Sequence, residues 1–230
     1  MARLRRWEMT SAIAGICAAV SLAAGYVIAR STAAPLAGPD VDYARVLLSE
    51  RMKWEWITLM RLVGGTLVLW FAALLGDRLR LAEGEPARLA ETAFGLGVVW
   101  AGIWLLSAFF NSASIMLAAD YANPAGARIA GVLAVEMPEV LTAAVVFTLL
   151  LATCLVALRS TAFPKSYAYA TGALAALMLV LALVDWYGPA SIGWLIVTLA
   201  LAWMAATSMM LLWVGPPEGG HYRRLSTTDD

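Results

Sequence analysis

Ionisable side chains are scarce in the apolar parts of this chain, so the few that occur there carry most of its chemical information. Arg61 stands four residues past Ile57, about 6 Å along a helix by its rise per residue. It shares a helical face with Thr58, Gly64 and Gly65. That small-residue face suits the interior of a bundle, although a long arginine can also snorkel toward a membrane surface. Several carboxylates fall at a similar depth. Glu136 and Glu139 flank Pro138, and Asp185 precedes Trp186, Tyr187, Gly188 and Pro189. Glu50, Glu55 and Asp120 lie near the same boundary. Charges within a bilayer are costly and mark functional sites by default. The chemistry they suggest is a polar pocket in which Arg61 binds an anionic headgroup or pairs with Glu136, Glu139 or Asp185. The plainer alternative, which carries more weight, is architectural. Glu139 then complements a helix N-terminus, Asp185 shapes a turn and Arg61 finds a structural ion pair.

A second constellation is Trp100, Trp104, Ser107 and Asn111, spaced i, i+4, i+7, i+11 and therefore on one helical face. Asn111 is followed by Ser112 and Ser114. Such a stripe can wall a cavity for a lipophilic ligand, with Trp100 and Trp104 as its sides and Asn111 at its mouth. More commonly it is helix packing with interhelical hydrogen bonds.

Other chemistries find little support. The one histidine, His221, lies in a polar tail, which removes histidine-ligated haem, copper or di-iron centres and histidine proton relays from consideration. Cys17 and Cys154 sit in apolar runs, where a thiol behaves as a small hydrophobe. Glycine-rich phosphate loops, paired-cysteine motifs and metal-ligand spacings are missing. No catalytic residue, metal site or cofactor is therefore expected, beyond a bound lipid or lipophilic ligand.

The elements that must hold these residues follow from composition. Hydrophobic residues make up 62% of the 230 and charged residues 14%. The mean hydropathy is +0.77. A soluble domain carries roughly 25% charged residues, so the solvent implied here is lipid. Sixteen basic residues balance sixteen acidic ones, which argues against a nucleic-acid partner. Six stretches approach the ~20 apolar residues that cross a bilayer: 11–29, 57–76, 92–117, 139–158, 167–184 and 191–214. The first follows a basic start but is longer than a typical signal-peptide core, and reads as an anchor. The expectation is an all-α polytopic bundle of about six spans. One membrane domain covers 1–214, and a polar tail covers 215–230.

Orientation follows from lysine and arginine. With the N-terminus inside, ten such residues fall on inner segments and five on outer ones. Both termini are then cytoplasmic. Trp54, Trp56, Tyr121, Trp186 and Tyr187 fall at outer ends, and Trp7, Tyr167 and Trp213 at inner ends, as amphipathic rings prefer. Two outer loops, 31–56 and 118–138, are long enough to hold structure. The first opens with a turn at Pro35, Gly38 and Pro39. From Asp40 it reads either as an interfacial amphipathic helix or as an extension of the second span. In the second, 129–135 lies on the bundle, re-enters it, or continues the fourth span past Pro138. The inner connector 77–91 mixes both charges and is too short for a domain. Small residues four apart predict close helix contacts: Ala14 and Ala18, Ser21 and Gly25, Gly172 and Ala176, Ala202 and Ala206. No internal repeat supports an inverted-repeat transporter.

The stretch Ala157-Leu158-Arg159-Ser160-Thr161-Ala162-Phe163-Pro164-Lys165 lies between two spans. Its Arg-Ser, followed by Pro and a basic residue, resembles the inter-helix turn of a family of bacterial multi-spanning membrane proteins known only as a domain of unknown function. The resemblance covers spans three to five and implies a bacterial plasma membrane, without transferring any active-site residue. The long first outer loop has no counterpart in it.

Three functions remain in competition. The first is a non-enzymatic membrane component that binds other membrane protein subunits or holds a lipid. The second is a small transporter with an outward-facing polar pocket. The third is an intramembrane lipid-modifying enzyme using Glu136, Glu139 and Asp185.

Overall fold

A computed structural model describes residues 2–31, 39–187 and 192–213. Seven α-helices occur among them: α1 (Ala2–Ser31), α2 (Asp40–Ser49), α3 (Arg51–Glu83), α4 (Arg88–Ala119), α5 (Pro124–Arg159), α6 (Lys165–Tyr187) and α7 (Gly193–Trp213). All but the short α2 are long and apolar enough to span a membrane. The expected turn at Pro35 and Gly38, the turn at Gly188 and Pro189, and the tail 215–230 lie outside the described residues.

The spans α3, α4 and α5 outrun their apolar cores. At 1.5 Å per residue, the 33 residues of α3 reach about 50 Å, well beyond a hydrocarbon layer of about 30 Å. Local chemistry sets the ends. The Glu83 carboxylate accepts hydrogen bonds from the amides of Leu89 (3.1 Å) and Ala90 (2.8 Å), capping α4. Gly84 takes a positive φ of 74°, which a side chain would resist. Asn123 accepts from the Gly126 amide at 3.0 Å, and Pro124 opens α5. Lys165 Nζ donates to the carbonyls of Leu158 (2.5 Å) and Ser160 (3.2 Å), closing the far end of α5. The Arg-Ser…Pro-Lys stretch thus has a local structural role.

Five helices pack as a ring in the order α1, α3, α4, α5, α7 and back to α1, with α6 outside against α5 and α7. Small residues fix the approach. A Cβ on Gly97 would fall 2.5 Å from Ala72 Cβ, and one on Gly64 would fall 2.5 Å from Leu22 Cγ. Ser21 donates to the Met60 carbonyl at 3.0 Å. Ala14 and Ala18 are buried as their spacing predicts, whereas Ala176, Ala202 and Ala206 are exposed.

Both long loops, 31–56 and 118–138, contain more helix among the described residues than the span boundaries alone indicate. In the first, α2 is a helix of its own, broken from α3 at Glu50, while α3 begins five residues before Trp56. The amphipathic helix and the extended span therefore coexist. Tyr43 and Leu47 face the bundle with Ala29, Trp54, Ile57, Ile115 and Ala127. Trp54 is consequently buried in protein, at 3% exposure, and is not an interfacial ring. Trp56, Tyr121, Trp186, Tyr187 and Trp213 are exposed.

In the second loop, 129–135 belongs to α5, which runs unbroken through Pro138. The fourth span therefore does not start at Glu139. Proline lacks an N–H, so the Ala134 carbonyl loses its usual helical donor. Ser107 Oγ on α4 donates to that carbonyl at 2.6 Å. A neighbouring helix thus supplies what the proline removes, a requirement sharpened by the absence of water in the membrane.

Candidate functional site

Local spacing places the polar residues of α4 correctly on one face, and the fold turns that face inward. Asn111 Nδ2 donates to the Trp54 carbonyl (2.9 Å) and to Thr58 Oγ1 (2.7 Å), tying α4 to α3. Ser114 Oγ donates to the Ala127 carbonyl at 2.6 Å. Its single hydrogen is then committed, so the Tyr43 hydroxyl, 3.4 Å away, must be the donor to Ser114. Burial pushes the Tyr43 phenol above its ordinary range, keeping it a neutral donor. Trp100 and Trp104 are fully buried in the main core. The stripe acts as helix–helix packing and hydrogen bonding, and neither tryptophan lines the groove described below.

The three carboxylates do gather, with a different cation. Glu139, only 4% exposed, receives a hydrogen bond from the Tyr26 hydroxyl and one from Arg30 Nη2 at 3.0 Å. Arg30 also reaches the Tyr26 oxygen at 3.4 Å. Tyr26 and Arg30 are four apart on α1, so they share a face and clasp Glu139 of α5 together. The other side of Glu139 meets the start of α7: a Cβ on Gly193 would fall 2.8 Å from Oε2. The carboxylate therefore lies at the N-terminus of a different helix from its own, where the macrodipole favours negative charge. Asp185 accepts from the Ile192 amide at 2.6 Å and shapes the α6–α7 connection. Glu136 is exposed and stands within electrostatic range of Glu139, Arg30 and Asp185.

Arg61 does not join this group. It is 1% exposed, and its Nε and Nη1 have no hydrogen-bond partner among the described residues. It neither snorkels nor pairs with Glu136, Glu139 or Asp185; Tyr26 is the titratable neighbour that acts on it. Tyr26 and Arg30 are not singled out by the sequence pattern of buried charges. The available signal was their i, i+4 spacing at the same end of the bundle as the carboxylates.

Beside the carboxylates lies a groove of about 600 Å³ between α5, α6 and α7. Glu139, Asp185 and Trp186 stand at one end, and Phe147, Thr148 and Leu179 continue it toward the bundle middle. Val140, Leu141 and Leu179 are exposed, so the groove opens sideways on the surface that spanning helices present to lipid. A smaller gap of about 310 Å³ between α1 and α7 is walled by alanines, Val20, Val27 and Leu201, with Tyr26 and Thr198 as its polar residues. No group of three histidine, cysteine, aspartate or glutamate side chains is arranged to hold a metal among the described residues. The larger groove can bury an apolar chain and meet a polar group at its carboxylate end.

Comparison with known proteins found no matching family model, no matching curated protein and no matching solved structure.

Proposed function

We propose that this protein is a non-enzymatic component of a bacterial plasma membrane, with both termini cytoplasmic, that holds a lipid in the groove between α5, α6 and α7. The single observation behind this reading is the groove itself. Its volume of about 600 Å³ lies within the usual 300–1,000 Å³ range of small-molecule sites, and its walls are mostly apolar, with its charged groups at one end and Thr148 as the polar side chain toward the other. The Tyr26–Glu139–Arg30 clasp supports a binding role over a catalytic one. Glu139 is already committed to two donors, the Tyr26 hydroxyl and the Arg30 guanidinium. The test is native mass spectrometry of the full chain purified in mild detergent. Lipid should co-purify with the wild type and be depleted by Ala144→Trp, which places an indole in the groove.

A carrier is the second reading, and Arg61 is the observation that favours it. Its buried Nε and Nη1 have no hydrogen-bond partner among the described residues, and such donors suit an anion. Reconstituted flux of an anion, lost on Arg61→Ala, would establish it.

A further inference from the structure

We propose that the groove selects a bilayer lipid bearing an ammonium headgroup, an inference that rests on the lipid-holding reading above and names its ligand. Charge balance is the first support. Glu139 and Asp185 line the groove end, Glu136 stands about one helical turn from Glu139 on α5 and within electrostatic range of both, and the cation paired to the cluster is Arg30. The N-terminus of α7 beside Glu139 and Asp185 adds roughly half a positive charge. The site therefore keeps a net charge of about −1.5. Glu136 has no ion-pair partner among the described residues, and Asp185 uses one oxygen on the Ile192 amide. A net-anionic headgroup is repelled at this position, whereas a zwitterionic one can set its ammonium against the carboxylates with its phosphate turned toward water.

The aromatic complement agrees. Trp186 lines the same end of the groove and is largely exposed. An indole face next to carboxylates attracts an ammonium through its quadrupole. Depth then selects a bilayer lipid over a soluble amine. From Glu139 to Thr148 the groove follows nine residues of α5, about 14 Å by helical rise. That is close to the ~15 Å of one leaflet's hydrocarbon. One acyl chain laid along Val140, Ala144 and Phe147 places its headgroup at the carboxylates. The sideways opening between Leu141 and Leu179 allows entry from within the leaflet.

The experiment uses the delipidated full chain in mild detergent. It is titrated with phosphatidylethanolamine and phosphatidylglycerol of identical acyl chains and read by native mass spectrometry. Phosphatidylethanolamine should be preferred about fivefold, the ratio expected from one partly solvated charge interaction. The double variant Glu136→Gln/Asp185→Asn should bring the ratio to near one, and Glu136→Gln alone, which removes a charge but no hydrogen bond of the fold, should lower it part of the way. Ala144→Trp, and independently Ala182→Phe from the α6 side, should remove both lipids. If the lipids bind equally, or the glycerol headgroup is preferred, while both filling variants still block binding, the headgroup inference is overturned and the groove stands. If the filling variants fold and change neither lipid, or a second protein chain occupies the site, the lipid-holding reading itself falls.

Discussion

At the level of single residues, the two buried charges should respond to mutation in opposite ways. Glu139 is enclosed and answered by Tyr26 and Arg30, while Arg30 is 47% exposed. Removing the arginine leaves a carboxylate buried without its cation, which costs about 3–5 kcal/mol. Removing the carboxylate leaves a guanidinium that can turn toward water or headgroups, a loss nearer to that of a surface pair, about 1 kcal/mol. Arg30→Ala should therefore destabilise the protein more than Glu139→Gln in thermal unfolding in detergent. The reverse order would mean that the clasp does not carry its charge as described. Arg61 presents the opposite case. A buried guanidinium whose Nε and Nη1 lack acceptors among the described residues incurs desolvation with little return. Arg61→Met should raise stability by about 1–4 kcal/mol, the range seen when buried ions give way to apolar side chains of similar volume. A lowered melting temperature would instead indicate that Arg61 holds an anion in the purified protein.

At the level of elements, the informative junctions are the proline in α5 and the docking of α2. Ser107→Ala strips the Ala134 carbonyl of its donor and should cost about 1–3 kcal/mol. Pro138→Ala returns a backbone N–H to that carbonyl. The serine substitution should then cost markedly less in the Pro138→Ala background, as measured by a double-mutant cycle. Additive costs would show that the hydroxyl does not serve that carbonyl. The docking of α2 depends on Gly131, where a Cβ would collide with the Tyr43 hydroxyl and phenol ring. Gly131→Ala should speed hydrogen exchange or proteolysis across 40–49 while the spanning helices stay protected. Equal protection in both proteins would contradict the packing.

At the level of the whole molecule, α6 is the peripheral span. Its buried residues are Ala168, Thr171, Ala175 and Met178, one narrow stripe, whereas α5 is buried along its length. Native-state hydrogen exchange should find α6 the least protected of the six spans, because the fewest apolar contacts hold it. An α6 as protected as α5 would imply a partner covering its outer face. Orientation belongs to the same scale. The lysine and arginine bias predicts that topology reporters fused to either end of the chain report the cytoplasm, and reporters on opposite sides would refute an even number of crossings.

What this chain owes to its sequence alone is the number of its apolar spans and, apart from the start of α5 at Pro124, their approximate place. Hydropathy adds up residue by residue along a segment, so 57–76 or 92–117 announces a span without knowledge of its neighbours. Helical faces are equally local, and the spacing of Trp100, Trp104, Ser107 and Asn111 placed them together correctly. Capacity for a clasp was also written there, in carboxylates and arginines at one depth. Which arginine meets which carboxylate was not. That choice depends on how helices distant in the chain come side by side, and close approaches such as Gly64 against Leu22 set it. Tertiary packing gave Glu139 to Arg30, left Arg61 enclosed, turned the tryptophan stripe into core and carried α5 past Pro138 on a hydroxyl from α4. Pairing between helices is a long-range event, decided by shape and by the need to satisfy every polar group away from water.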